Sequence, residues 1–180
     1  LFGAFYAYDN LDRTMAAGEL VRVDIGCAGG LYGADVGRTM PVSGHFTAGQ
    51  REAWDLVVAG YRAGLAVMRA GVALDEVRRA SVAEITRLAP TMRTDQGRLA
   101  AEVLLERGLA VWHIHGIGIE SGEEAVDPFV AGAVVAYEPT VEVGADAFYL
   151  EDMILVTETG VRVLSVGLPY TADEIEEWMR

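Results

Sequence analysis

Two aspartates flank a pair of glycines near the start of the chain, in the segment VDIGCAGGLYGADVGRT. A two-residue turn at Gly29 and Gly30 predicts a β-hairpin in which Asp24 lies directly opposite Asp35. Such a pair brings the two β-carbons to about 5 Å, where like charges destabilise a sheet unless a cation neutralises them. The hairpin therefore predicts a divalent metal site, with a solvent-exposed polar face around a longer turn as the alternative.

Alternation along the first strand of this hairpin assigns its two faces. The apolar positions are Val21, Val23, Ile25 and Cys27. Since successive side chains of a strand point to opposite faces, this apolar set lies on the face away from the aspartates. The single cysteine excludes an internal disulfide, and its place on the apolar face predicts a buried small side chain rather than a catalytic thiol.

Three further candidate ligands lie in the C-terminal half: His115 in HGIGIE, Glu138 in YEPT and Glu151 in LEDMILVTETG. Alternation separates Glu151 from Asp152, so only one of these neighbours is expected to point inward. Together with the two aspartates, they form an oxygen-rich set that suits two divalent ions such as Mn²⁺, Co²⁺, Fe²⁺ or Zn²⁺. Hydrolysis is the reaction that such a centre most readily supports.

Composition restricts the class of protein. The chain has 180 residues and is 52% hydrophobic, which is enough for one domain with a substantial core. No apolar run approaches the roughly 18 residues of a spanning helix, and a net charge of −13 argues against nucleic acid and anionic membranes as partners. We expect a single domain over residues 1–180. Its compartment stays open, with the cytoplasm as the default.

Helices are predicted in the middle of the chain and at its end. The capping pattern that begins at Thr47 opens the first helix, and a second helix is predicted over 74–88. A third helix is predicted from an N-cap at Thr94 to a stop at Gly108, and a short helix begins after Thr171. Each of the long helices has one apolar stripe, which indicates packing on a core.

Strands are predicted for the remaining C-terminal segments, AVWHIHGIGIE, AVVAYEPTVEV, FYLEDMILVTETG and VRVLS. In the second of these, Pro139 follows Glu138, and this step is expected to interrupt ladder pairing locally. Strands first, helices in the middle and strands last are typical of an α+β fold rather than of alternating βαβ units.

The order of these residues resembles the pita-bread metallopeptidases, the family of prolidase, aminopeptidase P, methionine aminopeptidase and creatinase. The resemblance includes Asp24, an aspartate eleven residues later, HGIG, Glu-Pro, and Glu-Asp before VTETG. The segments GRTMPVSGHFTAGQREAW and VTETGVRVLS extend it over nearly the whole chain. It implies a curved antiparallel sheet with helices on the outer face, and a hydrolase with two divalent metal ions as cofactors.

The resemblance also implies a role for each candidate residue. Asp24 would chelate one metal ion, and Asp35 and Glu151 would bridge both ions. His115 and Glu138 would hold the other ion. Glu138 would also act as the general base that takes a proton from the bridging water.

Several positions depart from the family pattern. Ala7 and Gly122 stand where relatives normally have histidines that bind and protonate the substrate. His113 lies two residues before His115 and should share its face, either as a partial substitute for these histidines or as a packed, hydrogen-bonded neighbour. Tyr149 occupies a position at which aminopeptidase P and prolidase relatives often have an arginine.

The sequence therefore favours a dinuclear hydrolase that resembles Xaa-Pro dipeptidases or aminopeptidases and cleaves a peptide bond. Two alternatives stay open: a lyase or small-molecule amidohydrolase on the same metal scaffold, and a catalytically silent interaction domain. The expected partner is a short peptide or a small-molecule substrate, and the resemblance allows a homodimer. The chain is expected to lack the N-terminal helix and strand, and the separate N-terminal domain, of its relatives.

Overall fold

The structure is a computed structural model that describes residues 13–119 and 121–180, so Ala7 lies outside the described residues. The strands are β1 (Leu20–Gly29), β2 (Tyr32–Pro41), β3 (Trp112–Ile117), β4 (Ser121–Glu123), β5 (Val134–Val143), β6 (Asp146–Tyr149), β7 (Asp152–Val156) and β8 (Val161–Val163). The α-helices are α1 (Ala48–Val67), α2 (Leu74–Leu88), α3 (Asp95–Arg107) and α4 (Ala172–Trp178). Among the described residues, no helix has the length and apolar character needed to cross a membrane.

The strands form two antiparallel sheets. Strands β1 and β2 make a hairpin, and the larger sheet has the order β4-β3-β5-β7-β8, with β6 also paired to β5. Backbone hydrogen bonds in both directions between Gly37 of β2 and Glu151 tie the hairpin to the junction of β6 and β7. Strands thus precede and follow the three long helices, with the short helix α4 at the end, and the predicted α+β class is confirmed.

Local sequence signals set the ends of the helices. Thr47 and Gln50 form the predicted capping box of α1, and the side chain of Thr94 accepts a hydrogen bond from the backbone of Gly97 at the start of α3. Helix α2 has the predicted bounds. Helix α1 ends at Val67, and the backbone N–H of the extended residue Met68 donates back to carbonyl oxygens of its last turn.

The core lies between the helices and one face of the larger sheet. Tyr61 of α1 stacks on Tyr137 of β5, with ring centroids 5.2 Å apart. Trp54 packs against Phe148 of β6. Trp112 and the other apolar side chains of this face are also fully buried. Because side chains alternate along each strand, their neighbours point to the opposite face, where the candidate ligands lie.

The predicted register of the hairpin was wrong by two residues. Asp24 lies opposite Gly37 rather than Asp35, and Asp35 lies opposite Gly26. The turn residues are Gly30 and Leu31, and Gly30 has the positive φ of 68° that a tight turn of this kind needs. Since the period of a strand is two residues, a shift of two leaves both aspartates on one face, as diagonal rather than direct neighbours.

The prediction that Cys27 is buried was also wrong, because its side chain is exposed. Ile25, on the same face of β1, is 57% exposed. Within the described residues, the helices pack on the larger sheet and leave this face of the hairpin tip uncovered. Apolar alternation therefore predicted correctly that Ile25 and Cys27 share a face, but that face is exposed rather than buried.

Candidate metal centre

Four strands and one break between strands hold the candidate ligands. Asp24 lies on β1. Asp35 lies on β2, His113 and His115 on β3, and Glu138 on β5, where it pairs with His113 across the ladder. Glu151 lies between the end of β6 and the start of β7. The two sheets therefore bring together residues that are up to 127 positions apart in sequence, from 24 to 151.

The predicted interruption at the Glu-Pro step is confirmed on one edge of β5. Residues 134–137 pair with β7 and residues 140–143 pair with β6, and the step at Glu138 and Pro139 lies between the two ladders. Proline has no N–H to donate, although its carbonyl still accepts a hydrogen bond from the backbone of Leu150. This break faces Glu151, whose backbone pairs with β2 instead.

Within residues 13–119 and 121–180, one group of three side chains has the spacing of a metal site. Each of Asp35, His115 and Glu151 offers a ligand atom, and these atoms all lie within 4.8 Å of one another. Glu138 is outside this group, but its Oε1 is 3.3 Å from Nε2 of His115. Asp24 is exposed and also lies outside it. The structure thus brings together three of the five predicted ligands directly and places the other two beside them.

The carboxylate of Glu151 fits a bound cation. The residue is 1% exposed, and its buried Oε1 has no hydrogen-bond partner although it lies 3.5 Å from His115 Nε2. Buried polar atoms are nearly always satisfied, so an unpartnered carboxylate oxygen beside two other ligand groups is what a cation-binding site requires. Nδ1 of His115 donates to the carbonyl oxygen of Gly116, 2.9 Å away, which leaves Nε2 free to act as a ligand.

Like charges dominate the electrostatics of this group. Burial and the neighbouring carboxylates of Glu151 and Asp24 raise the pKa of Asp35 to about 7. Burial also raises the pKa of Glu151. Burial alone would lower the pKa of His115, but the carboxylates of Glu138 and Glu151 outweigh it and raise this pKa to about 10. Without a metal ion, protons supply the positive charge that these carboxylates need.

Metal binding is therefore expected to release protons. At pH 7, a proton from His115 and a further fraction of a proton from Asp35 should leave when an ion binds, because ligands bind in their deprotonated forms. Protons compete with the ion, so the affinity should fall as the pH falls below about 10, where His115 takes up a proton, and more steeply below about 7, where Asp35 does. Calorimetric titration with Mn²⁺ in buffers of different ionisation enthalpy measures both effects. A binding enthalpy that does not depend on the buffer would contradict this ligand assignment.

Glu138 is hydrogen-bonded through both carboxylate oxygens. Its Oε1 lies 2.6 Å from Nδ1 of His113, and its Oε2 accepts a hydrogen bond of 2.9 Å from the hydroxyl of Tyr149. Burial works to raise its pKa, but the hydrogen bonds to His113 and His115 outweigh burial and hold the pKa at about 2. Glu138 is consequently ionised at neutral pH. His113 shares the face of His115, as alternation predicted, and the centroids of the two rings are 5.6 Å apart.

Strand alternation puts Tyr149 on the face of Glu151, but sequence reasoning assigned its hydroxyl no role in the site. Its hydroxyl lies 2.6 Å from Oε2 of Glu151 as well as near Glu138, and Arg22 lies over its ring at 4.7 Å from the centroid. Burial and the carboxylates of Glu151 and Glu138 raise the pKa of Tyr149, so the hydroxyl keeps its proton.

Alternation correctly placed Glu151 and Asp152 on opposite faces, with only Glu151 in the site, but both side chains are buried. Asp152 is 2% exposed and lies on the opposite side of the backbone, where Nη2 of Arg38 donates to its Oδ1 at 2.7 Å. Tyr61 donates to Oδ2 at 2.7 Å, and Nη1 of Arg38 donates to the backbone carbonyl of Glu151 at 2.6 Å. The ion pair with Arg38 therefore allows the carboxylate of Asp152 to be buried. Arg38 also holds the backbone of Glu151 in place.

The position of the second family histidine has a backbone that suits glycine. Gly122 has a φ of 82°, in the left-handed region that L side chains rarely adopt. A histidine at this position would be strained. Among the described residues close to Glu138, His113 is the histidine whose imidazole is open to solvent.

Comparison with known proteins identifies the family of this chain. Residues 3–158 match metallopeptidase family M24. The chain belongs to this family. Xaa-Pro aminopeptidase 1 of Streptomyces coelicolor is 32% identical over 193 residues, which cover 93% of this chain and 39% of that protein. The Xaa-Pro aminopeptidase of Escherichia coli is 29% identical over 198 residues, covering 98% of this chain and 44% of that protein.

A solved structure shows the same fold. Zinc-substituted E. coli aminopeptidase P in complex with product matches with a TM-score of 0.71 and 29% identity, over 92% of this chain and 42% of that chain. The predicted pita-bread fold is confirmed by this match. The chain spans less than half the length of these relatives.

Proposed function

We propose that this chain is the metal-binding catalytic part of an Xaa-Pro aminopeptidase-like hydrolase that cleaves a peptide bond in a short peptide. The observation that supports it best is the buried, unpartnered Oε1 of Glu151, which faces Asp35 and His115 in a chain of the M24 family. A structural domain would gain nothing from burying a bare carboxylate oxygen beside a second carboxylate.

The same residues define where metal ions would bind. Asp35, His115 and Glu151 would hold one divalent ion, and Asp24 and Glu138 on either side would complete a dinuclear site. Carboxylates with one imidazole suit Mn²⁺, Co²⁺, Fe²⁺ or Zn²⁺. A divalent ion at this site supplies Lewis-acid chemistry, since it polarises a carbonyl oxygen and acidifies water.

Glu138 and His113 would move the proton. Glu138 is ionised at neutral pH and can accept a proton as general base. His113 contacts it at 2.6 Å, and the side chain of His113 is 40% exposed, so the imidazole connects the carboxylate with solvent. This pair would take over part of the proton transfer for which the chain lacks a histidine at Gly122.

Hydrolysis of an Xaa-Pro peptide tests the proposal. The chain loaded with Mn²⁺ is expected to cleave the peptide, and Glu138→Gln should lower kcat by about 10²-fold or more because the general base is lost. Glu142→Gln is the matched control, since Glu142 lies on the same strand but is exposed. Liquid chromatography of the released products measures both rates.

The outcomes separate the proposed function from its alternatives. Cleavage by the parent that Glu142→Gln keeps and Glu138→Gln loses would support the proposal. Metal-loaded protein that cleaves no peptide would contradict it, and turnover of small amides or acids would then favour a different enzyme on the same scaffold. Failure to bind any divalent ion would favour a silent interaction domain.

A further inference from the structure

The hydroxyl of Tyr149 lies between two carboxylates of the candidate site. It is 2.6 Å from Oε2 of Glu151 and 2.9 Å from Oε2 of Glu138. Oε1 of Glu138 is already in contact with His113 and His115, whereas Oε1 of Glu151 has no hydrogen-bond partner. Because the hydroxyl contacts Oε2 of Glu151, it leaves Oε1 as the oxygen that faces the other ligands.

The ring of Tyr149 is held in place on several sides. Gly37 lies so close that a Cβ there would overlap the ring, so this position of β2 accommodates the tyrosine only as glycine. The guanidinium of Arg22 lies over the ring, an arrangement typical of a cation–π contact. The backbone N–H of Tyr149 donates to the hydroxyl of Thr39 at 2.8 Å. A side chain fixed in this way holds its hydroxyl at one place in the site.

Packing alone does not require the hydroxyl. Phenylalanine would fill the same space between Gly37 and Arg22 and would spare the protein the cost of burying a polar group. The two carboxylates are the contacts that the hydroxyl adds. Groups that hydrogen-bond to metal ligands orient those ligands, and their loss typically lowers metal affinity about 10–100-fold.

We propose that Tyr149 is a positioning residue of this site: its hydroxyl fixes the carboxylates of Glu138 and Glu151 relative to each other and thereby sets the affinity and coordination geometry for the metal ion. The proposal rests on the proposed function, because it requires that divalent ions bind at Glu151. It concerns the hydroxyl alone and not the ring.

Replacing the hydroxyl by hydrogen tests this role. Tyr149→Phe is expected to bind Co²⁺ about 10–100-fold more weakly than the parent, since both carboxylates lose a common partner. The visible absorption bands of the Co²⁺-loaded protein should also change, because they report the coordination geometry of the ion. Calorimetric titration measures the affinity, and neither readout depends on peptide hydrolysis.

Tyr61→Phe is the matched control. It removes another buried tyrosine hydroxyl, one that donates to Oδ2 of Asp152 at 2.7 Å on the other face of the sheet. This variant should unfold at a lower urea concentration than the parent and still bind Co²⁺ with the parent's affinity and spectrum. Urea unfolding of the metal-free proteins shows whether each variant is folded.

Two results would overturn the role of Tyr149 alone. The first is a Tyr149→Phe variant with the affinity and spectrum of the parent. The second is an equal loss of affinity in Tyr61→Phe, which would assign the effect to general destabilisation. A parent protein that binds no Co²⁺ would overturn the proposed function as well, so the two failures are distinguishable.

Discussion

Replacing Glu151 by glutamine is expected to abolish stoichiometric binding of divalent metal ions and, with it, any hydrolytic activity. The substitution keeps the shape of the side chain but removes the charge of a carboxylate that lies within 4.8 Å of the ligand atoms of Asp35 and His115. Because a ligand itself is changed, the loss of affinity should exceed the roughly 10–100-fold typical of replacing a hydrogen-bonding partner of a ligand. Elemental mass spectrometry of protein purified without chelator measures the metal content.

Two further variants make this experiment specific. Glu158→Gln changes an exposed glutamate a short distance along the chain and should leave the metal content unchanged. Asp24→Asn should lower the content without abolishing it, since Asp24 lies outside the group of three ligands and would chelate only the second ion. Full metal content in Glu151→Gln would refute the ligand assignment.

Asp152→Asn is expected to lower the free energy of unfolding by about 3–5 kcal/mol, the usual effect of breaking a buried ion pair. The side chains of Arg38 and Asp152 are 6% and 3% exposed, so the guanidinium would stay buried without its counter-charge. The carboxylate also accepts hydrogen bonds from Tyr61 and Ser165. Urea unfolding of the metal-free protein, followed by circular dichroism, measures the change.

The surface pair of Arg87 and Glu84 provides the comparison. Arg87→Gln removes an ion pair of similar length, 2.6 Å, whose arginine side chain is 64% exposed. Solvent screens such pairs, so the unfolding curve should stay close to that of the parent. An Asp152→Asn curve that coincides with the Arg87→Gln curve would show that the buried pair contributes little to stability.

Several local features of the fold could be predicted from the sequence. The capping boxes at Thr47 and Thr171 and the bounds of α2 depend on hydrogen bonds and apolar periodicity within a few residues, and the structure has all of them. The period of a strand likewise placed Asp24 and Asp35 on one face, although the register was wrong by two residues. The residue types and their order were sufficient to identify the family.

Contacts between distant segments depended on the tertiary structure. The sequence alone could not show that the apolar face with Cys27 is left uncovered, or that Arg38 allows Asp152 to be buried beside Glu151. It also could not place the hydroxyl of Tyr149 between Glu138 and Glu151. Local patterns determine which face a side chain occupies, because strand and helix periods act over a few residues. What that face meets is decided only when the sheets and helices assemble.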